Sequence, residues 1–283
     1  MSPVDPTASG GAPRLEPDAD PIASNRALWE EWTRIHETGD FYDLARFVRD
    51  PSDLRVRPDE RADVGPVEGK RLLHLQCHFG LDTLSWARLG ARVTGLDFSR
   101  AAIALARDVA TRTGLEATFI ESSIEDAPRH LEGAFDVVYT TRGVLGWNPD
   151  IRRWAAVACG AVAPGGILYL REAHPLFWAL DDGLPIRPRY RYWEGDTLVF
   201  PVEGSYADRG AAVAVEKEHG WNHGLGEIVS AVAAEGLVIE LLREEPFLEW
   251  PADGFEERDG RWYLPGDLDG TLPLSYALRA RRP

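Results

Sequence analysis

The chain has 283 residues, 44% hydrophobic and 27% charged, enough apolar material for one large α/β domain or a core domain plus an insertion. Its formal net charge of −15 at pH 7 opposes a nucleic-acid surface, because a phosphate backbone is bound by clustered Lys and Arg, and the overall field favours neutral or cationic small substrates. No run of about 18 apolar residues is present, which excludes a membrane-spanning helix, and the only two cysteines, Cys77 and Cys159, make no disulfide framework and suit a reducing, cytoplasmic setting.

Residues 1–23 lack the basic start and apolar stretch of a secretory signal; Pro, Gly, Ala and Asp dominate, so a disordered tail is expected. Ser24 or Asn25 then caps a helix with Leu28, Trp32 and Ile35 at helical spacing. A second short helix covers Phe41 to Val48 and stops before Asp50-Pro51. Arg55 to Gly69, punctuated by Pro58, Gly65 and Pro66, reads as a linker, so 24–69 is a helical lid with its connection.

After Lys70 short apolar runs alternate with amphipathic segments. The strands are Leu72–Gln76, Ala91–Leu96, Ala117–Glu121, Phe135–Thr140 and Gly166–Arg171, separated by helical patterns at Leu81–Leu89, Ala101–Thr113 and Ile151–Val162. Such alternation builds a parallel sheet covered on both faces, here over 70–174. Residues 175–223 are rich in aromatics, Pro and Gly with period-2 fragments such as Thr197-Leu198-Val199-Phe200, a β-rich cap inserted into the core. The core resumes over 224–283 with a helix at Leu225–Ala234, a strand at Leu237–Leu242, a loop and a last strand at Leu274–Ala280. The closing arginines Arg279, Arg281 and Arg282 read as a solvated end, and the residues specify no oligomeric state.

The chemistry is concentrated in Leu72-Leu73-His74-Leu75-Gln76-Cys77-His78-Phe79-Gly80-Leu81-Asp82-Thr83 and Val93-Thr94-Gly95-Leu96-Asp97-Phe98-Ser99. A strand enters a tight turn, a glycine opens a helix, and the next strand ends in an acid that can accept both hydroxyls of a ribose. This stretch resembles motif I and the ribose acid of class I S-adenosylmethionine (SAM)-dependent methyltransferases, in a bacterial subgroup with a divergent motif I. Where that family writes D-x-G-x-G-x-G, this chain has His74, Gln76 and His78, and only Gly80 remains. Phe135-Asp136-Val137-Val138-Tyr139-Thr140 resembles the fourth strand, leading to Gly143-Val144-Leu145-Gly146-Trp147 above the methyl group; Pro164-Gly165-Gly166 resembles the turn before the fifth.

The resemblance implies a doubly wound, seven-stranded Rossmann-like sheet and SAM as cofactor. Its ribose falls to Asp97, its adenine to Phe98 and Ile124, and its methionine end to Gln76, His78 and Thr140, with Cys77, Gly80, Thr83, Ser99 and Ser123 completing the set. Ser123 stands where the family has an aspartate beside adenine. Plainer readings stand beside these: Ser99 is well placed as a helix N-cap, Cys77 as a small packed residue, and His74 as a satisfied buried histidine.

Ligands of open parallel sheets lie beyond the carboxyl ends of the strands, which favours a pocket role for Glu172 and His174 at the end of the fifth. Trp147, Glu172, Trp221 and Asn222 are the candidate substrate wall, and His174 and His223 the candidate general bases, because imidazole titrates near neutrality. A histidine capped by its own loop is the alternative for His174, and an N-cap role the alternative for Asn222 or His223. No HExxH or comparable spacing supports a metal site. The implied activity is methyl transfer to a small-molecule O, N or S nucleophile. Two alternatives remain: a SAM-binding enzyme or sensor that transfers no methyl, and a dinucleotide-dependent oxidoreductase, disfavoured because Gln76 and His78 stand where a pyrophosphate needs glycine.

Overall fold

The computed structural model describes residues 15–181 and 185–283. In chain order the elements are α1 (Pro21–Thr38), α2 (Leu44–Arg49), α3 (Pro58–Val64), β1 (Arg71–Leu75), α4 (Leu81–Arg88), β2 (Arg92–Asp97), α5 (Arg100–Thr113), β3 (Ala117–Glu121), β4 (Phe135–Thr141), α6 (Ile151–Gly160) and β5 (Val162–Ala173). They continue with α7 (Pro175–Trp178), β6 (Leu198–Pro201), β7 (Lys217–Gly220), α8 (Leu225–Ala234), β8 (Val238–Glu245), β9 (Phe247–Leu248), β10 (Glu256–Arg258), β11 (Arg261–Tyr263) and β12 (Ser275–Arg281).

The expected seven-stranded sheet is present, in the order β3-β2-β1-β4-β5-β12-β8, with β12 antiparallel to both of its neighbours. Period-2 alternation sends Leu73 and Leu75 to a core face with Trp154 of α6 and Ile228 of α8, while Leu72 joins Trp86 of α4 on the opposite face. Both faces are therefore dry, which is why these strands read as unbroken apolar runs.

Four local expectations need correction. The first helix starts at Pro21, capped by the Asp20 carboxylate on the Ala23 amide, rather than at Ser24 or Asn25. The structured chain also reaches further back than the expected tail: the Asp18 amide donates to His219 Nε2, and the rest of that expectation, residues 1–14, lies outside the described residues. The stretch read as a linker contains α3, whose Pro58 opens the helix while the Glu60 carboxylate accepts from the Arg57 amide at 2.7 Å. The loop expected before the last strand holds the three-stranded sheet β10-β11-β9. Its hairpin turns on Asp259 and Gly260, both at positive φ, a type I′ signal present in the sequence.

Among the described residues, the segment read as a β-rich cap holds the short helix α7, the antiparallel pair β6–β7 and connecting loops. It is locked to α1, since Asn25 exchanges hydrogen bonds of 2.8 and 2.9 Å with the His219 backbone and the Trp32 indole donates to the Gly204 carbonyl at 2.9 Å. Lid helix and insertion thus form one roof over the carboxyl ends of β1, β2 and β4. Among the described residues no helix is long and apolar enough to cross a membrane.

A buried ionic cluster braces the sheet below that roof. Arg142, just beyond β4, reaches Glu60 at 2.5 Å and Asp82 at 3.1 Å and also pairs with Glu249, while Arg171 of β5 reaches Glu245 at 2.7 Å and Glu249 at 2.8 Å. Removing one member would strand a charge in the interior, so the cluster tolerates change poorly.

Gly80 is indispensable to the turn after β1. Its φ is +74°, and an added Cβ would stand 2.6 Å from the Phe119 ring. Gly80→Ala should therefore destabilise the fold by about 1–3 kcal/mol through the left-handed backbone alone, with the clash adding to it. An unchanged urea midpoint at constant m-value would contradict this account.

Candidate active site

The turn between β1 and α4 alternates into the left-handed region three times, at Gln76 (φ 55°), His78 (φ 51°) and Gly80 (φ 74°). These are the positions where the resembling family carries glycine, so the backbone path survives with side chains attached. Non-glycine residues hold such backbone only when their surroundings over-determine it. Gln76 is anchored by donating to the Val144 carbonyl at 3.2 Å and by accepting from the Trp154 indole at 3.1 Å and from Asn148 at 3.4 Å. The His78 amide donates to Asp97 Oδ2 at 2.8 Å, and its Nε2 hydrogen-bonds His36 Nδ1 of α1 at 2.9 Å.

Asp97 ends β2 with its carboxylate facing this turn, and its Oδ1 accepts from the Ser99 amide at 2.9 Å. Burial pushes its pKa up to about 6 against the lowering effect of these amides. Next to it α1 contributes Glu30, whose Oε2 accepts from the Ala101 amide at 3.0 Å while Oε1 is buried without a partner. Arg26 of α1 lies over the Phe98 ring at 5.8 Å. Sequence reasoning missed Glu30 and His36, because helical spacing marks the buried face of α1 but not what lies beneath it.

Several expected contacts are absorbed by the fold instead, and these are corrections. Thr83 is fully buried and hydrogen-bonds His74 Nδ1 at 2.8 Å, so His74 is a core histidine, though its Nε2 is buried without a partner. Ser99 caps α5 by accepting from the Ala102 amide. Thr140 is fully buried and donates to the Leu75 carbonyl, so it binds strand to strand. The Cys77 thiol is packed in the core, burial raises its pKa, and only its backbone belongs to the turn. Ser123 Oγ accepts from the Asp126 amide at 3.2 Å.

Beyond the ends of β4 and β5 lies a second cluster. The buried Glu172 carboxylate accepts from the Gly143 and Val144 amides at 2.8 and 2.7 Å and so holds the loop after β4 in place; burial raises its pKa to about 7. Glu172, Trp178, Trp221, His223 and Tyr276 line a cavity of about 20 Å³, room for one water molecule. His223 Nε2 donates to the Asn148 carbonyl at 2.7 Å, which leaves Nδ1 buried, unpartnered and carrying the free lone pair of a neutral imidazole. Burial lowers its pKa. The Tyr276 hydroxyl, which sequence reasoning missed inside an apolar strand, is also buried and unpartnered.

His174 does not share this geometry. Its Nδ1 accepts from the Leu176 amide at 3.0 Å, capping α7, and its Nε2 lies 2.9 Å from Glu244, so both ring nitrogens are engaged away from the cavity. Asn222 is similarly engaged, donating to the Trp178 and Arg191 carbonyls. Trp221 lines the cavity with its indole donated to Thr197, whereas the Trp147 ring stands against Trp29 and Trp32 of α1 at 5.3 and 6.0 Å.

A methyltransferase-domain family model matches residues 72–166. The chain is 36% identical over 153 residues to the ubiquinone biosynthesis O-methyltransferase of Cronobacter sakazakii, a match covering 54% of this chain and 59% of that protein. It is 32% identical over 157 residues to the enzyme of the same name from Nitrosococcus oceani, covering 55% of this chain and 62% of that protein. The chain thus matches less than two thirds of the length of these curated relatives. Among solved structures it superposes on an S-adenosylmethionine-dependent methyltransferase from Mesorhizobium loti with a TM-score of 0.56 at 23% identity, covering 80% of this chain and 96% of that one. A SAM-dependent methyltransferase from Methanosarcina mazei gives 0.53 at 19% identity, covering 81% and 99%. Residues 72–166 thus match a methyltransferase-domain family, and the chain has the fold of the SAM-dependent methyltransferases it superposes on.

Proposed function

We propose that the protein is a SAM-dependent methyltransferase acting on a small-molecule O, N or S nucleophile. The observation that carries the reading is the turn after β1, which keeps left-handed backbone at Gln76, His78 and Gly80 and is closed by the Asp97 carboxylate at the tip of β2. The residues present fit the cofactor. Asp97 and the unpartnered oxygen of Glu30 are acceptors for ribose hydroxyls, Phe98 and Ile124 offer apolar surface to adenine, and the turn backbone from Gln76 to Gly80 meets the methionine end. Bound there, SAM supplies an electrophilic methyl group on a sulfonium.

The chain's own tasks are alignment, exclusion of water and acceptance of a proton. Glu172 positions the loop after β4, and the roof of α1 and the insertion excludes solvent. His223 is the proton acceptor: the Asn148 carbonyl holds its tautomer, Nδ1 is left without a partner, and the residue lines the small cavity beyond the ends of β4 and β5. His174, engaged through both nitrogens, drops out of this role. Trp221 and the Tyr276 hydroxyl complete the acceptor wall. The side chains of Gln76 and His78 also leave no cradle for a pyrophosphate, which disfavours a dinucleotide oxidoreductase.

Asp97→Ala should weaken SAM binding by about 1.5–3 kcal/mol by calorimetry, the range for lost hydrogen bonds to a charged group. Because burial raises the Asp97 pKa to about 6, the carboxylate protonates and loses acceptor capacity as pH falls through that value. Wild-type SAM affinity should fall in the same window, by roughly tenfold per pH unit below it, and the variant should lack this limb. Equal affinity of wild type and variant across pH would remove Asp97 from the site.

His223→Gln should lower kcat roughly 10²–10⁴-fold with SAM affinity intact, measured as S-adenosylhomocysteine release with phenol, amine and thiol acceptors. Burial lowers the His223 pKa, so the neutral base persists as pH falls, and the acid limb of the wild-type rate should lie below the ordinary imidazole range. Unchanged kcat and pH profile would assign the proton to another group, whereas tight SAM binding without turnover of any acceptor class would favour a SAM-binding protein that transfers no methyl.

A further inference from the structure

We infer that Trp29 of α1 is a cation-recognising residue that sets the preference of the site for a positively charged sulfonium over a neutral thioether. The inference rests on the SAM reading above and adds a residue and a selectivity to it. The Trp29 indole meets rings from both sides of the cleft: His78 of the turn after β1 at 5.1 Å and Trp147 of the loop after β4 at 5.3 Å, each edge to face. Trp32 at 5.2 Å and Tyr206 at 6.3 Å, from α1 and from the insertion, complete a cage of aromatic rings.

The position of this cage matters more than its size. In SAM the sulfonium joins the ribose carbon to the methionine chain. A donor with its ribose on Asp97 and its methyl group directed to the loop 143–147 therefore carries the charge between the two segments that Trp29 touches. Aromatic faces attract cations through their quadrupole, with tryptophan the strongest of the rings.

The surroundings favour a cation. Glu30, the next residue of α1, keeps a buried carboxylate oxygen without a partner, and the Asp97 carboxylate lies close by. Arg26, on the same helix, is spent over the Phe98 ring. The two imidazoles beside the cage, His36 and His78, are kept neutral by burial and do not repel the charge.

The test compares calorimetric Kd values for SAM, S-adenosylhomocysteine and sinefungin, which carries an ammonium in place of the methylated sulfonium. In Trp29→Leu the ratio of the S-adenosylhomocysteine Kd to the SAM Kd should fall by roughly five- to tenfold, sinefungin should follow SAM, and S-adenosylhomocysteine affinity should hold within about twofold. Trp29→Phe, which keeps an aromatic face, should retain most of the wild-type ratio, and its thermal midpoint serves as the control for folding. Equal weakening of all three ligands in Trp29→Leu, or an unchanged ratio, would reduce Trp29 to a packing residue and overturn the inference. If wild type binds none of the three, the SAM reading itself fails and takes this inference with it.

Discussion

The site depends on holding non-glycine residues in left-handed backbone at the end of β1. Gln76 and His78 carry φ values of 55° and 51°, a conformation that costs on the order of 1–3 kcal/mol at each position. The surrounding fold offsets that cost by anchoring each side chain to a different element. Gln76 is held by the loop after β4 and by α6, and His78 by β2 through its amide and by α1 through its imidazole. A turn that glycines would form unaided thereby becomes a junction, and the lid, the sheet edge and the loop after β4 are positioned relative to one another through it.

That arrangement explains why the roof is aromatic. Side chains at the turn occupy volume that glycines would leave open, and α1 answers with Trp29, Trp32 and His36, whose rings pack edge to face on His78 and Trp147. Flat rings in T-shaped contact fill irregular space while leaving polar atoms free. The buried nitrogens of His36 and His78 and the oxygen of Glu30 that find no partner are such atoms. Below the sheet edge the Arg142 and Arg171 clusters do the opposite work, satisfying charge densely so that the strand ends behind the cleft stay rigid.

Much of the fold was legible because local patterns and global architecture agree. The apolar strands after Lys70, the glycine that opens α4 and the acid at the tip of β2 identified the sheet and the face that bears the site. The Asp259-Gly260 hairpin and the Pro58 helix start carried standard signals, but charged neighbours masked them. In the insertion the period-2 fragment at 197–200 marked β6, whose partner β7 carries no such alternation.

The sequence by itself determined the alternation of strands and helices after Lys70 and the location of Asp97, since these follow from periodicity and from short-range motif spacing, and the resemblance it carries implied the seven-stranded class. Only the tertiary structure decided what each polar side chain does. Thr83, Ser99 and Thr140 sit at motif positions, yet each is consumed by a neighbour only the fold supplies: His74, the first turn of α5 and β1. His174 and His223 read alike in sequence, but a two-residue step returns the first to its own helix cap, while a carbonyl 75 residues away leaves the second with a buried nitrogen that has no partner. The difference is physical: hydrogen-bond partners more than one turn away are chosen by packing, and no local pattern encodes which donor arrives first.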